Sequence, residues 1–404
     1  MTHKPSQSHK DVTMPFALPH LVAGFIAVMV GYTSSVILII QAATAAGADA
    51  AQLASWLWTL GIGMGISCIG LSLYYRIPVL TAWSTPGAAL LITSLGNFTL
   101  AEAIGAFIIS SLLITLCGIS GWFDRLMRHI PAQLAAAMLA GILLKFGLDL
   151  FKVAPADPLL LGSLLLAFLL GRHLWPRYTM VLVLAVGILI SLLRGELQLD
   201  TIHWQLGSPV MIWPEFSLGA LFGIALPLFI VTMTSQNMPG ITILRAHGYQ
   251  PATSSLITWT GLTGLLLAPF GGYTFNLAAI TAAICMGKEV DPDAKRRWPA
   301  AVWAGCFYLL TGCFGATVAA LFTAFPATLV TCVAGLALLG TIGSSLHTAL
   351  PHDDAREAAL LTFIITASGI NLLGIAAACW GLLIGMGLYG IQIYRQRNQL
   401  DHKP

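Results

Sequence analysis

Two short apolar segments of this chain are interrupted by proline, glycine and small polar residues. The first, residues 78–91, contains WSTPG at 83–87, and the second, residues 271–287, contains YTFN at 273–276. Neither holds the uninterrupted run of about 20 apolar residues that an ordinary membrane-spanning helix needs. Non-helical backbone inside a membrane is tolerated only beside protein or a water-filled cavity. The two interruptions therefore predict a polar cavity inside an otherwise apolar chain.

Each interruption is predicted to end where a short helix begins. Thr85 suits the N-cap position and Pro86 the first helical position, so residues 78–83 are expected to be extended. Asn276 is expected to cap a second short helix over Leu277–Met286. The free N–H groups and the positive dipole end of each helix favour an anion. Because neither segment contains Lys or Arg, a small carboxylate is the simplest ligand.

Aromatic residues stand beside both interruptions. Trp83, Tyr273 and Phe275 lie within them, and Tyr32 lies in the first long apolar segment. Such rings can form apolar or stacking walls, with about 0.5–1.5 kcal/mol for each aromatic pair. The alternative interpretation is that both segments are kinked packing helices with interfacial aromatics.

A third polar patch reads TMTSQNMP at residues 232–239. Polar residues inside a span are costly in lipid, so this stretch is expected to face the protein interior. The side-chain amides of Gln236 and Asn237 can both donate and accept hydrogen bonds, and so could recognise a polar ligand. Hydrogen bonding between helices, about 0.6 kcal/mol for each contact, is the alternative.

The composition indicates a polytopic membrane protein. The 404 residues are 57% hydrophobic and 9% charged, with a net charge of +3, whereas soluble domains carry about 25% charged residues. The seven cysteines form no CxxC pair, which favours buried thiols over metal or redox chemistry. No nucleophile–base pair or set of metal ligands is predicted at one depth, so we expect no enzyme, no cofactor, no metal and no nucleic-acid partner.

Apolar runs divide the chain into about fourteen predicted spans, seven in residues 16–194 and seven in residues 216–394. With the N-terminus in the cytoplasm, all but three of the 19 Lys and Arg residues fall on the cytoplasmic side. The exceptions are Lys145, Lys152 and Arg194. Because cytoplasmic loops carry an excess of Lys and Arg, this asymmetry predicts that both termini are cytoplasmic.

The two halves resemble each other in sequence. PAQL at 131–134 matches PATL at 326–329, and FAL at 16–18 matches FSL at 216–218. An odd number of spans in each half makes the second copy run inverted, which is the plan of many secondary transporters. Chance similarity between apolar helices is the alternative.

Inside one predicted span, Lys145 and Asp149 are four residues apart, and we expect them to form an ion pair.

The stretches AWSTPGAALL (82–91) and NLAAITAAICMG (276–287) resemble the signature stretches of the benzoate/proton symporter family, called BenE-like. The resemblance covers essentially the whole chain and implies an aromatic carboxylate, with a proton, as substrate. It implies an all-α polytopic membrane protein of about fourteen spans in a seven-plus-seven inverted repeat, with segments 3 and 10 broken, as in nucleobase and sulfate/bicarbonate transporters. It also implies a bacterial inner-membrane protein, an elevator-like mechanism and a possible homodimer.

In such folds a core domain moves against a gate domain. The resemblance places the core domain at about 16–122 plus 216–322, and the gate domain at about 131–194 plus 326–394. The substrate is expected between spans 3 and 10, facing span 8. Carried over, this site comprises Ser84, Thr85, Gly87, Gln236, Asn237, Phe275 and Asn276.

The chain departs from the family pattern in one position. Tyr273 stands where a histidine is expected, and the carboxylates of nucleobase transporters are missing from the matching regions. The residue that couples transport to protons is therefore not identified by the sequence. Transport of a nucleobase or a small inorganic anion by the same fold is the alternative function.

Overall fold

The computed structural model describes residues 18–123, 131–197, 204–350, 353–372 and 375–401, which are predominantly helical. The helices are α1 (Leu18–Ala45), α2 (Ala50–Tyr75), α3 (Thr85–Ser94), α4 (Leu100–Ile119), α5 (Ala132–Lys152), α6 (Pro158–Leu174), α7 (Thr179–Leu193), α8 (Leu218–Ala246), α9 (Thr253–Leu267), α10 (Ile280–Cys285), α11 (Trp298–Cys313), α12 (Gly315–Thr323), α13 (Ala327–Ala349), α14 (Asp353–Ala367) and α15 (Ala377–Asp401). The strands are β1 (Thr81–Trp83), β2 (Phe275–Leu277), β3 (Asn371–Leu372) and β4 (Ile375–Ala376).

The prediction of a multi-pass membrane protein is confirmed by the length and composition of the helices. Within the described residues six helices are long and apolar enough to cross a membrane, and a seventh span results if α11 and α12, bent by 70°, are taken together. Helices α6, α7 and the first part of α15 are apolar but shorter. The count of fourteen spans, the inverted repeat and the cytoplasmic termini stay predictions, and residues 1–17 and 402–404 lie outside the described part.

The helices form two sets according to their contacts. In the first set, α1, α2, α3, α4, α9 and α11 pack on one another, and in the second, α5, α6, α7, α13, α14 and α15 do so. Close packing in the first set depends on small residues: a Cβ on Gly61 of α2 would lie 2.4 Å from the Cα of Gly312 in α11. The two sets meet where α1 contacts α7 and α13, and where α3 contacts α5.

The two broken segments pair with each other as a short antiparallel ribbon. Thr81 faces Leu277 and Trp83 faces Phe275 in this register. The backbone N–H of Ala278 donates to the carbonyl of Leu80 at 2.9 Å, which extends the pairing by one bond. The extended backbone predicted before α3 is therefore confirmed, and its hydrogen-bonding groups are satisfied partly by β2 and partly by Ser72 and Cys68 of α2.

Helix α8 contains the predicted polar patch within a π-helical segment. Two such segments, Leu221–Ala225 and Met233–Asn237, interrupt its α-helical hydrogen bonding. Thr232 and Asn237 are fully buried, so the prediction that this patch faces the protein interior is confirmed. π-Helical turns inside α-helices occur frequently at functional sites.

Three local predictions are wrong. Ser84, not Thr85, is the N-cap of α3, so Pro86 occupies the second helical position. Asn276 caps no helix: it lies in β2, and the following helix α10 begins only at Ile280 and has no side-chain cap. Asp149 pairs with Lys152 at 2.7 Å rather than with Lys145, because a spacing of three also places two side chains on one helix face.

A candidate substrate cavity at the crossing of the broken segments

A cavity of about 660 Å³ lies between the two sets of helices. Its volume falls within the range of about 300–1,000 Å³ that small-molecule sites occupy. One wall comes from α1, the β1–α3 junction, α8, the start of α10 and α11, and the opposite wall from α5, α7 and α13. The described residues that line it are mostly apolar or hydroxyl-bearing and include no Asp, Glu, Lys, Arg or His.

The N-terminal turn of α3 opens into this cavity. Ser84 is fully buried behind the wall, and its Oγ accepts a hydrogen bond from the N–H of Gly87 at 3.0 Å. A Cβ on Gly87 would lie 2.8 Å from that Oγ, so glycine at this position leaves room for the cap. Thr85 and Pro86 follow and line the cavity. The Thr85 hydroxyl has no protein partner among the described residues and is free to bind a ligand.

Trp83 forms an aromatic wall whose orientation is fixed from two sides. Its Nε1–H donates to the Oγ of Ser35 at 2.8 Å. The ring packs edge-to-face against Tyr32, with centroids 4.8 Å apart, and Tyr32 in turn lies 6.3 Å from Tyr308. Trp83, Ser35 and Tyr308 line the cavity, whereas Tyr32 supports them from behind.

Three side-chain amides connect α8 with β2. The Oδ1 of Asn237 accepts a hydrogen bond from the backbone N–H of Leu277 at 3.0 Å. The Nδ2 of Asn276 donates to the Oε1 of Gln236 at 3.4 Å. Gln236 alone of the three lines the cavity, where its amide nitrogen has no protein partner in the described part of the chain. Its amide nitrogen is therefore a donor available to a ligand.

Tyr273 and Phe275 are buried structural residues rather than walls of the cavity. The Tyr273 hydroxyl donates to the carbonyl of Ser84 at 2.8 Å, which links the second broken segment to the first. The Tyr273 ring lies among those of Trp56 and Phe107, at 6.3 and 6.1 Å. Phe275 is 1% exposed and packs so closely on Gly63 that a Cβ there would lie 2.3 Å from the ring.

The structure thus divides the ten predicted site residues into two groups. Trp83, Thr85 and Gln236 line the cavity. Two others contact a lining residue from behind, Tyr32 on Trp83 and Asn276 on Gln236. The remaining five also lie behind the wall: Ser84, Gly87, Asn237, Tyr273 and Phe275. This separation could not be obtained from the sequence, because it depends on the pairing of β1 with β2 and on the packing of α8 against β2.

Sequence reasoning missed the opposite wall altogether. Helix α13 contributes a row of hydroxyl groups: Thr341, Ser344, Ser345 and Thr348. Helices α5 and α7 contribute small or apolar side chains, among them Leu139 and Met180. The hydroxyls recur three to four positions apart on one apolar helix. This spacing, a polar stripe on one face, was the available signal.

No residue cluster suited to a metal ion was found within the described part of the chain. In those residues no group of three or more His, Cys, Asp or Glu side chains comes together. The lining instead combines apolar side chains with aromatic, amide and hydroxyl groups, and it includes the first residues of α3 and α10. Such a lining can hold an apolar ring and hydrogen-bond a small polar group.

Comparison with known proteins identifies the family. The model of the benzoate membrane transport protein family (BenE) matches residues 14–391. The chain is 50% identical over 367 residues to the inner membrane protein YdcO of Escherichia coli (strain K12), covering 91% of this chain and 94% of that protein. It is 40% identical over 382 residues to a benzoate membrane transport protein of Acinetobacter baylyi (strain ATCC 33305 / BD413 / ADP1), covering 95% and 97%.

Among solved structures, the fold is similar to that of SLC26A9. The TM-score is 0.59 at 14% sequence identity, over 94% of this chain, which spans 65% of the length of SLC26A9. At this identity the likeness shows the fold alone. The family model matches most of the chain, and both relatives align with it over almost their whole length. The chain therefore belongs to the benzoate membrane transport protein family, whose members are membrane transporters and not enzymes.

Proposed function

We propose that this protein imports benzoate or a similar aromatic carboxylate into the cytoplasm, and that the substrate binds in the cavity at the crossing of the broken segments. The observation that carries this proposal is the meeting of three groups there. The α3 N-terminal turn, the free amide nitrogen of Gln236 and the ring of Trp83 all face one cavity. The first two suit a carboxylate, and the third suits the aromatic ring of the same molecule.

The substrate carboxylate is placed between Thr85 and Gln236. The Thr85 hydroxyl and the Gln236 Nε2 donate to its oxygens, and the positive end of the α3 dipole contributes about 1 kcal/mol. The second helix contributes less than the sequence predicted, because α10 has only six residues and no side-chain cap. The benzoate ring then lies against Trp83, with Leu139 and Met180 on the opposite wall.

The proposed transport mechanism is a movement of the core domain against the gate domain. The first helix set carries Trp83 and Thr85 at the start of α3, and α8 with Gln236 packs on α3 and α4 of that set, which corresponds to the predicted core. The set that contains α5, α7 and α13 corresponds to the predicted gate. The cavity extends from the ribbon toward Ala132 and Thr348, near the ends of helices that the charge asymmetry assigns to the cytoplasmic side. We therefore assign this arrangement to the inward-facing state of a fourteen-span protein.

Coupling to protons is part of the proposal. An ionised carboxylate loses its hydration on entering a largely apolar cavity, which is costly unless the charge is compensated. Entry of one proton with each benzoate makes the transported charge zero. The membrane potential then no longer opposes import of the anion, which otherwise costs about 2.3 kcal/mol per 100 mV.

Uptake of labelled benzoate into proteoliposomes tests both parts. An inward proton gradient should drive accumulation, and collapse of the gradient with a protonophore should abolish it. Uptake that is unaffected by the protonophore would refute the coupling, and absence of uptake would refute the substrate. A thermal-shift series with benzoate, uracil and bicarbonate separates the aromatic acid from the nucleobase and inorganic-anion alternatives.

A further inference from the structure

A second, smaller cavity lies at the other end of α3. Its volume is about 180 Å³, and it is lined by the C-terminal turn of α3, by Asn97 three residues beyond the end of α3, and by parts of α5, α14 and α15. The larger cavity begins at Thr85, the first residue of α3. A ten-residue helix is about 15 Å long, so α3 separates the two cavities by roughly that distance. The charge asymmetry assigns this second cavity to the outer face.

Lys145 of α5 lines this outer cavity and carries an uncompensated charge. Only three cations are assigned to the outer side, and two of them are paired: Lys152 with Asp149 at 2.7 Å, and Arg194 with Asp157 at 2.5 Å. Lys145 has neither an ion pair nor a hydrogen bond among the described residues. It is exposed and lies in the lining of the cavity.

Two further features of the cavity suit an anion. Asn97 is exposed in the cavity lining, and its side-chain amide makes no hydrogen bond within the described part of the chain. Ala377 and Ala378, the first two residues of α15, also line the cavity. The first N–H groups of a helix have no partner within it and favour an anion. A cation, a free side-chain amide and a helix N-terminus thus border one space.

We propose that this outer cavity is a docking site for the carboxylate of the substrate before it reaches the central cavity. This inference rests on the proposed import of an aromatic carboxylate. Lys145 attracts the anion, and Asn97 hydrogen-bonds it at the outer end of α3. Movement of the core domain then shifts α3 relative to the gate helices, and the two cavities at its ends shift with it. A phosphate group of an outer-leaflet lipid has the same anionic chemistry and is the competing occupant.

Transport kinetics test the role of the charge. Lys145→Gln should raise the KM for external benzoate by up to about fivefold, the upper end of what one exposed charge pair contributes. Lys145→Arg should restore the wild-type KM to within about twofold, since it keeps the charge. Lys152→Gln, on the same helix but already paired, is the matched control and should leave the KM unchanged. An unchanged KM in Lys145→Gln, or a failure of Lys145→Arg to restore it, would overturn the proposal.

Thiol labelling tests the site without transport. Asn97→Cys, treated from outside with small charged thiol reagents, should react with the anionic reagent about threefold to tenfold faster than with the cationic one. Added Lys145→Gln should abolish that preference, and benzoate should protect the thiol. The parent protein measures the background from native cysteines. Equal rates for the two reagents refute the anion site, and an anionic preference without protection by benzoate refutes the substrate in favour of lipid phosphate.

The two proposals fail in distinguishable ways. Absence of benzoate uptake by the wild-type protein refutes the proposed function itself. Wild-type uptake combined with an unchanged KM in Lys145→Gln leaves that function intact and refutes only the outer docking site.

Discussion

The two broken segments form one ribbon, yet they are held in place differently. The first is followed by a ten-residue helix capped by Ser84, a residue of the segment itself. The second is followed by a six-residue helix with no side-chain cap. Its strand is instead bound by Asn237 of α8, whose Oδ1 accepts from Leu277. One broken segment is therefore organised locally, and the other is organised from a distant helix.

The two segments also differ in how the residue that holds the segment in place relates to the residue that faces the cavity. In the first segment the cap and the cavity-lining residue are neighbours, Ser84 and Thr85, so a change in one is expected to affect the other. For the second segment, α8 provides both the residue that holds the strand in position and a residue that lines the cavity. Asn237 binds the strand, and its neighbour Gln236 faces the cavity. Substitutions at these positions measure whether the division is real.

Gln236→Ala should have the largest effect on substrate affinity. It removes the amide that we place on the carboxylate, and hydrogen bonds to charged groups contribute about 1.5–3 kcal/mol. The Kd for benzoate, measured by calorimetry on the purified protein, should rise at least about tenfold. The unfolding temperature should change little, because the amide makes only one long protein contact. A wild-type Kd would exclude Gln236 from the site.

Asn237→Ala should have the opposite profile. It leaves the N–H of Leu277 buried without a partner, which costs about 1–3 kcal/mol of stability. Thermal unfolding in detergent should show a clear decrease, with Gln236→Ala as the adjacent control. Equal stability of the two variants would contradict the idea that one amide holds the strand and the other binds the ligand.

Ser84→Ala should decrease stability by about 0.5–2 kcal/mol through loss of the α3 cap. Unlike Asn237→Ala, it should also weaken benzoate binding, since Thr85 follows directly. The control is Ser110→Ala in α4, where the buried hydroxyl has no hydrogen-bond partner within the described residues and lines neither cavity. If Ser84→Ala alters neither property more than Ser110→Ala does, the first segment is not organised by its own cap.

Asn276→Ala should weaken benzoate binding while leaving folding largely intact. Asn276 lies behind the wall and contacts Gln236 through a 3.4 Å hydrogen bond, so its effect is indirect. A neutral hydrogen bond contributes about 0.5–1.5 kcal/mol, which corresponds to a rise of about twofold to tenfold in Kd. Unchanged binding would show that Gln236 needs no support from the second segment.

The smallest effect is expected far from both segments, at Asp157 in the loop before α6. The hydrogen bond from Arg194 lowers the pKa of Asp157, so this carboxylate stabilises the fold above its unfolded pKa of about 3.9. That stability is lost as the pH falls through the lower, folded value. Asp157→Asn should therefore lower the unfolding temperature slightly at pH 7, and the difference should vanish in acid. A difference that persists below the folded pKa would indicate an effect other than charge.

Much of the site region was recognisable in the sequence because broken apolar segments are costly in a membrane and therefore conspicuous. Trp83, Thr85 and Gln236 were identified in this way and do line the cavity. The caps were predicted less well. Ser84 and Thr85 are adjacent and both are favoured N-cap residues, although serine ranks above threonine, and the preference for proline at the first helical position directed the prediction to Thr85. Asn276 was predicted to cap a helix. Its actual pairing with β1 was not visible in the local sequence, because β1 lies about 195 positions away.

The chain's composition and charge placement were sufficient to predict a multi-pass membrane protein, and its motifs to predict an aromatic carboxylate transporter. These properties are local, since hydropathy and charge act on each segment independently. Whether a given side chain faces the cavity is not determined by the local sequence. It depends on the β1–β2 register, on the π-helical turn of α8 and on the helices that close the opposite wall. Only packing between distant segments fixes these, because each hydrogen-bonding group at that depth must find a partner elsewhere in the fold.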